Sequence, residues 1–587
     1  MIRNALGFPD AVVSLRLAVH KARSDCIPSM KSYLSIKMTN AFIAFQEGWK
    51  VLRREGPGQI QFWFIALAIG IVAGFTALFF RKGIDALQSF LYGKADLQTL
   101  HSFAEFLPWY WILIIPAIGG LLVGLILHKF TPDARARSVA DVIEGAAMKE
   151  GRVETCAGLA SAIASFITLS SGGSTGREGP VVHLAAVIST KVSRYIHADG
   201  ITGRDLLGCA VAAAVSASFN APIAGALFAL EVVLRHFAVH AFAPIAIAAV
   251  AGTVINRSEF GGMTEYTLNA PESLQFYVEL PAFVMLGLVC GMVAVILMRS
   301  IFWADDLGTQ VQNHIGFPRW LRPAIAGLML GAIAIFFPHI IGIGYETTSM
   351  ALTGQLGLHE VIVFAALKIF AVAITMAGRM GGGVFSPALM IGALTGLAFG
   401  LIATGVFPEV SGTVTLYALA GMGAVAAAVL GAPISTTLIM FELTGDWQTA
   451  LAVMVTVSIS TALSSRIVDQ SFFLTQIERR GIHLAAGPQA YLLTMFRVAS
   501  VMRKLDDPRA ANEDACWEMI GDGIYVDGNA TLEATMPIFD GASVPFIPVV
   551  TLSGEDSPPE LWGAVFHVDA LKTYNRALAA TAAEEHS

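Results

Sequence analysis

The sequence predicts an all-α polytopic membrane protein, built from two related halves with broken helices and followed by a small soluble α/β domain. Three observations carry this. Of the 587 residues 55% are hydrophobic and only 14% are charged, against about 25% charged in an average soluble domain. Two motifs bearing glycine and proline recur in the same order in the second half of the chain. The charge balance changes sharply near residue 490.

The composition bounds the function. Mean hydropathy is +0.65. A soluble fold of this size leaves too much surface facing water to hide that much apolar side chain. A soluble enzyme, a disordered chain and a nucleic-acid binder are thereby excluded. The 56 glycines and 24 prolines are compatible with membrane helices, where both are tolerated. The five cysteines form no CxxC and no even framework, so they read as buried small hydrophobes or free thiols.

Residues 1–57 carry nine Lys or Arg against four acids, just ahead of the first apolar run. By the positive-inside rule this segment is expected in the cytoplasm. Its first 20 residues contain Asp10 and no apolar stretch of the signal-peptide kind. Residues 58–475 form the expected membrane domain. Long apolar runs at 60–80, 108–130, 238–255, 279–302, 323–345, 360–378 and 449–463 approach the ~20 residues needed to cross the hydrocarbon core. Between them lie pieces interrupted by Gly, Pro and Ser, at 155–170, 178–193, 206–217, 384–404 and 413–430. Half-helices that meet near the midplane are a common way for transporters to build ion sites. Residues 490–587 hold 15 acids and six bases. Loop signals there alternate with strand-like stretches at 544–550 and 561–568, which reads as a small α/β domain on the same side as the N-terminus.

The repeat is the most informative feature. Asn220-Ala221-Pro222-Ile223 opens a run that ends at Glu231, and Gly431-Ala432-Pro433-Ile434 opens one that ends at Glu442. Each Glu lies nine residues after its Pro, and the copies are 211 residues apart. Upstream of them stand Gly176-Arg177-Glu178-Gly179-Pro180 and Gly383-Val384-Phe385-Ser386-Pro387. A Gly-rich turn that opens a helix leaves backbone N–H groups unpaired, and the helix dipole adds partial positive charge. Two such ends facing each other make an anion site without a full positive charge. Glu178 sits inside one of them. It can occupy the anion's place and leave when protonated, as a gate and proton carrier, or it can simply satisfy helix donors. The local sequence leaves both readings open.

These motifs resemble those of the CLC family of chloride channels and chloride/proton exchangers, whose signatures read GREGP or GKEGP and GIFAP. The resemblance covers about residues 58–470. It implies two inverted repeats, a homodimer with a separate pore in each subunit, and transport of chloride or a similar small anion. It assigns the gate and proton step to Glu178, and anion binding to Ser138, Arg177, Gly179, Val384, Phe385 and Trp447. The GSGIP motif of the family falls on Arg137-Ser138-Val139-Ala140-Asp141, where only the serine is kept. Arg137 either adds affinity or faces the cytoplasm. The family's central tyrosine falls on Trp447, which has an N–H donor but no hydroxyl. The internal proton glutamate of many exchangers falls on Val232, which cannot carry a proton. Channel and exchanger therefore both stay open, with coupled exchange favoured because Glu178 is present. Glu231 and Glu442, as repeat mates, read as structural.

Within residues 490–587, the stretches Val498–Met502, Asn529–Glu533, Ile547–Val550 and Gly563–Phe566 resemble one copy of a CBS module, a fold whose pairs can bind adenine nucleotides. No intact phosphate loop is seen, and a dimerisation or stability role is the preferred reading. Gly172 to Gly176 fits G-x-S-x-G, but inside a membrane segment and running into the glutamate motif, so a hydrolase is set aside. His236 and His240 stand four apart without the company a metal site needs. No Walker loop is present. No enzyme activity, cofactor or metal is expected. The expected partners are small anions, protons, the lipid bilayer of a plasma membrane and a second copy of the chain. The alternative class is a membrane sensor with a vestigial pore.

Overall fold

The structure, a computed structural model, describes residues 58–93, 107–198, 200–237, 239–261, 266, 276–482, 493, 496–542, 544–551 and 560–585. The basic segment 1–57 and the Pro558-Pro559 loop lie outside the described residues. The chain from Gln59 onward forms one compact unit.

The first half runs α1 (Gln59–Tyr92), α2 (Trp109–Phe130), α3 (Val139–Met148), α4 (Thr155–Ser170), α5 (Glu178–Tyr195), α6 (Gly200–Phe219), α7 (Pro222–Phe228, continued by a π-helical turn, Ala229–Leu234) and α8 (Val239–Phe260). The second half repeats this order: α9 (Phe276–Ile315), α10 (Arg322–Phe336), α11 (Tyr345–Leu352), α12 (Leu358–Ala377), α13 (Phe385–Val406), α14 (Val414–Leu430), α15 (Pro433–Thr444) and α16 (Trp447–Ile467). Starts of counterpart helices are offset by about the same interval, 207 residues for α5 and α13 (385 − 178) and 211 for α7 and α15 (433 − 222). A short helix, α17 (Phe472–Glu478), follows.

Among the described residues eight helices are long and apolar enough to cross a membrane, while α4, α14 and α7 with its π turn are shorter. The expected apolar runs fall on helices, except that 323–345 runs past the end of α10 at Phe336, through a 3-10 turn (Pro338–Ile340), to the start of α11 at Tyr345. The helices α5, α6, α13 and α14 are the most enclosed: residues 206–215 of α6 and 417–427 of α14 are buried without interruption. Their small side chains allow this. Gly392 of α13 lies where a Cβ would stand 2.4 Å from the Gly421 carbonyl oxygen of α14, so the two backbones touch. Outward faces carry Phe64, Phe79, Ile118, Val254, Met285 and Ile362, all exposed, as expected of side chains that meet lipid. The helix starts are written locally. Pro222 and Pro433 occupy the first turn of α7 and α15, where no N–H is needed.

The C-terminal part forms a four-stranded sheet ordered β1-β4-β3-β2. Its strands are β1 (Arg503–Lys504), β2 (Val526–Asp527), β3 (Phe546–Thr551) and β4 (Glu560–Phe566). β3 pairs antiparallel with β4 and parallel with β2. Helices α18 (Glu513–Gly521), α19 (Leu532–Ala542) and α20 (His567–Glu585) complete the α/β layer. Both expected strands are present, with β4 ending at Phe566 because α20 starts at His567. Among the described residues the cysteines are free thiols.

Candidate functional site: two helix starts around Glu178

The two upstream motifs meet. The Gly176 N–H donates to the Gly383 carbonyl at 2.7 Å, and the Gly383 N–H donates to the Gly176 carbonyl at 2.8 Å. This reciprocal antiparallel bridge joins residues at equivalent places in the two halves. The Thr175 hydroxyl donates to the same Gly383 carbonyl at 2.8 Å. The contact demands glycine. Gly382 has φ +146°, and a Cβ there would lie 2.1 Å from Thr175 Oγ1. The start of α5, at Glu178, is thereby fixed beside the start of α13, at Phe385.

Glu178 is 3% exposed. Its Oε1 accepts a 2.6 Å hydrogen bond from the Ser386 hydroxyl. Its Oε2 lies 2.6 Å from the point where a Gly176 Cβ would stand, a point 3.1 Å from the Ser386 backbone N. A carboxylate of the first half thus sits at the helix start of the second half, where the dipole and free N–H groups favour negative charge. Ser386 escaped the sequence reading, although it is the one motif position where this chain has serine and the family signature has alanine.

The other expected residues are distributed unevenly. Gly179 packs against Gly383, whose Cα is 3.2 Å from the place of its missing Cβ. Val384 caps α13 and is buried. The Phe385 ring lies 4.6 Å from that of Phe219 and 6.0 Å from that of Phe228, so it joins the α6–α7 turn to the α13 start. Arg177 is buried but turned to other partners: Nη2 donates to the Ser218 carbonyl at 3.3 Å, and the guanidinium lies 5.5 Å from the Tyr345 ring.

Ser138 caps α3, and its N–H donates to Asp141 Oδ2 at 2.8 Å. It borders a cavity of about 180 Å³ shared with Gly382, Arg135, Arg379, Arg480 and Asp305. This cavity ends one residue from the Gly176–Gly383 bridge. The loop that lost its glycines and proline is held instead by ions. Arg480 Nη1 donates to Asp141 Oδ1 at 2.8 Å. Arg137 pairs with Asp133 at 2.8 Å and Glu154 at 3.1 Å, so its charge is matched by carboxylates rather than left for an anion.

Trp447 requires correction. It is the first residue of α16, follows the Asp446 cap and is 66% exposed. Among the elements that pack against α3 is α17, which carries the buried Phe472 and Phe473. An aromatic reaches the neighbourhood of α3, but from a segment 25 residues further on (472 − 447), and without an N–H or O–H to donate.

Glu231 and Glu442 hold each other's helices. Glu231 accepts from the N–H groups of Ile434 and Ser435, at 2.9 and 2.7 Å, and from the Ser435 hydroxyl. Glu442 accepts from the N–H groups of Ile223 and Ala224, at 3.1 and 2.8 Å. Each caps the start of its repeat mate's helix, which is the structural role expected of them. Val232, beside Glu231 on the π turn, is 5% exposed.

Two inverted halves of broken helices that meet start to start around a buried carboxylate define a membrane protein whose paired helix ends are suited to small anions. Comparison with known proteins agrees. The sequence profile of the voltage-gated chloride channel family matches residues 119–465. A Ralstonia nicotianae protein described as ClcB-like is 32% identical over 394 residues, which span 66% of this chain and 90% of the relative. The crystal structure of a slow cyanobacterial Cl−/H+ antiporter superposes with a TM-score of 0.63 at 20% identity, over 72% of this chain and 98% of its own. That of a eukaryotic CLC transporter gives 0.61 at 15% identity, over 89% and 98%. The chain belongs to the voltage-gated chloride channel family.

Proposed function

We propose that the protein exchanges chloride, or a similar small anion, for protons across the membrane, with Glu178 as the gate. The observation that carries this is the Glu178 carboxylate, buried at the α13 start and bonded to Ser386 at 2.6 Å. Charged, it fills the place that suits an anion. Protonated, it loses its attraction to the helix start and yields that place. Proton and anion then alternate at one position, which is the elementary requirement for coupled exchange. Val384 and Phe385 open α13 and offer backbone donors to the incoming anion, while Ser138 borders the cavity that reaches Gly382. The antiporter described in the solved cyanobacterial relative supports exchange over a passive channel.

A homodimer in the plasma membrane, with both ends of the chain in the cytoplasm, completes the proposal. The C-terminal α/β domain is read as a stabilising module. In liposomes loaded with chloride, wild-type protein is expected to release chloride and move protons against their gradient. Glu178→Gln, which mimics the protonated gate, is expected to retain chloride release with no coupled proton movement. Unaltered coupling in that variant excludes Glu178 as the gate.

A further inference from the structure

A proton exchanged at Glu178 has to cross the protein to the far face, and Val232 cannot carry it. His183 has the properties required. It lies on α5, five residues beyond Glu178, and is 2% exposed. Neither ring nitrogen has a hydrogen-bond partner among the described residues. A buried polar atom left in that condition destabilises the fold, and an apolar side chain would pack here without that cost. An ionisable residue inside a membrane domain is by default a functional candidate.

Its position fits the route. At 1.5 Å per residue the ring is carried about 7.5 Å along the helix from Glu178. α5 runs from the paired helix starts toward the face that bears the C-terminal domain. At its far end the Ala198 carbonyl accepts from Arg152 at 3.3 Å, and the adjacent Glu150 senses the charges of Asp527 and Arg497. Room for the ring is made on α4: a Cβ at Gly158 would stand 2.8 Å from His183 Cε1 and 3.2 Å from Nδ1. The charged groups that act on His183 are Asp141 of α3, Glu154 at the start of α4 and Arg137 just before α3; Glu178 shares its own helix. Asp141 in turn bonds Arg480, which lines the 180 Å³ cavity. α3 packs against both α5 and the π turn that carries Val232, so His183 borders the same helix as the missing carboxylate.

We propose that His183 is the internal proton carrier of this chain. Its imidazole accepts a proton at one nitrogen from the side of the cavity and releases one from the other nitrogen. The N–H bond breaks, an O–H bond forms on Glu178, and the ring returns to neutrality. The separation along the helix exceeds a direct hydrogen bond, so water must relay the proton between them.

The inference rests on the exchange reading, and one experiment separates the two. Chloride efflux and proton uptake are recorded together in liposomes for wild type, His183→Gln and His183→Glu. Proton movement per chloride is expected to fall at least tenfold in His183→Gln and to persist in His183→Glu, which keeps a titratable group in place. An unchanged ratio in His183→Gln overturns the proposal while exchange stands. Loss in both variants shows a packing role and also overturns it. Wild type that moves chloride without protons removes the exchange reading and this inference with it.

Discussion

At Glu178 a single hydroxyl governs how firmly the gate holds its place. The Ser386 hydrogen bond, 2.6 Å and to a carboxylate, belongs to the class worth about 1.5–3 kcal/mol. Ser386→Ala removes it without changing the helix start, because alanine is a good helix former. Chloride flux at neutral pH is expected to rise about tenfold or more, as the carboxylate leaves more readily. Flux equal to wild type in the liposome assay would show that the hydroxyl does not hold the gate. The glycine bridge gives the opposite kind of residue-scale effect. Gly382→Ala places a Cβ 2.1 Å from Thr175 Oγ1 at φ +146°, so the two motif loops cannot close. Size-exclusion profiles of the detergent-solubilised variant are expected to show little folded protein.

Among the elements, α7 and α15 act as a reciprocal pair. Each begins at a proline and leaves N–H groups that its own half does not satisfy, and each is capped by the glutamate nine residues along the other. Charged caps of this kind contribute about 0.5–2 kcal/mol each. Glu231→Ala and Glu442→Ala are each expected to lower thermal stability by that amount. The double variant should lose about the sum, because the two caps share no donor. Unfolding midpoints measured by tryptophan fluorescence check this; unaltered midpoints in both single variants would exclude the capping role. The π turn after α7 places Val232 against α3, and π turns often mark functional positions in helices.

A buried ion pair helps to join the C-terminal domain to the membrane part. Arg204, at the start of α6, donates to the carbonyls of Ala146 and Ala147 at 2.6 and 2.8 Å and to Glu533 at 2.8 Å. It therefore ties the end of α3 to α19. Both side chains are below 10% exposed. Removing one partner of such a pair leaves a buried charge and typically costs about 3–5 kcal/mol. Arg204→Ala is expected to release the C-terminal domain to limited proteolysis, whereas wild type resists it. Burial raises the Glu533 carboxyl above its ordinary value of 4.5, and Arg204 opposes the rise. A carboxyl raised on folding contributes stability that is full below 4.5 and is lost as pH climbs through its folded value. Docking of the domain should weaken over that window, and Glu533→Gln should flatten the dependence in a pH series of the same proteolysis.

Much of this was legible without coordinates. Apolar run length fixes the membrane helices, since hydrocarbon thickness sets how many residues must be apolar. Glycine and proline mark helix starts by local geometry, which puts Glu178 at a helix end, and the family resemblance adds Val384 and Phe385. The spacing of Pro222 and Glu231 against Pro433 and Glu442 revealed the repeat. What local pattern does not encode are contacts between residues some 200 apart. Ser386 donates to Glu178 across 208 positions, and the glutamates cap across 203 to 219. Arg137 is matched by Glu154 17 residues on. The resemblance puts the family's central tyrosine on Trp447, yet it is α17 that folds back onto α3. The sequence by itself determined a family, a membrane topology of broken helices and a carboxylate at a helix start. The tertiary structure decided which helix start receives that carboxylate and which neighbours hold it, because hydrogen bonds form between groups brought together by packing, whatever their distance along the chain.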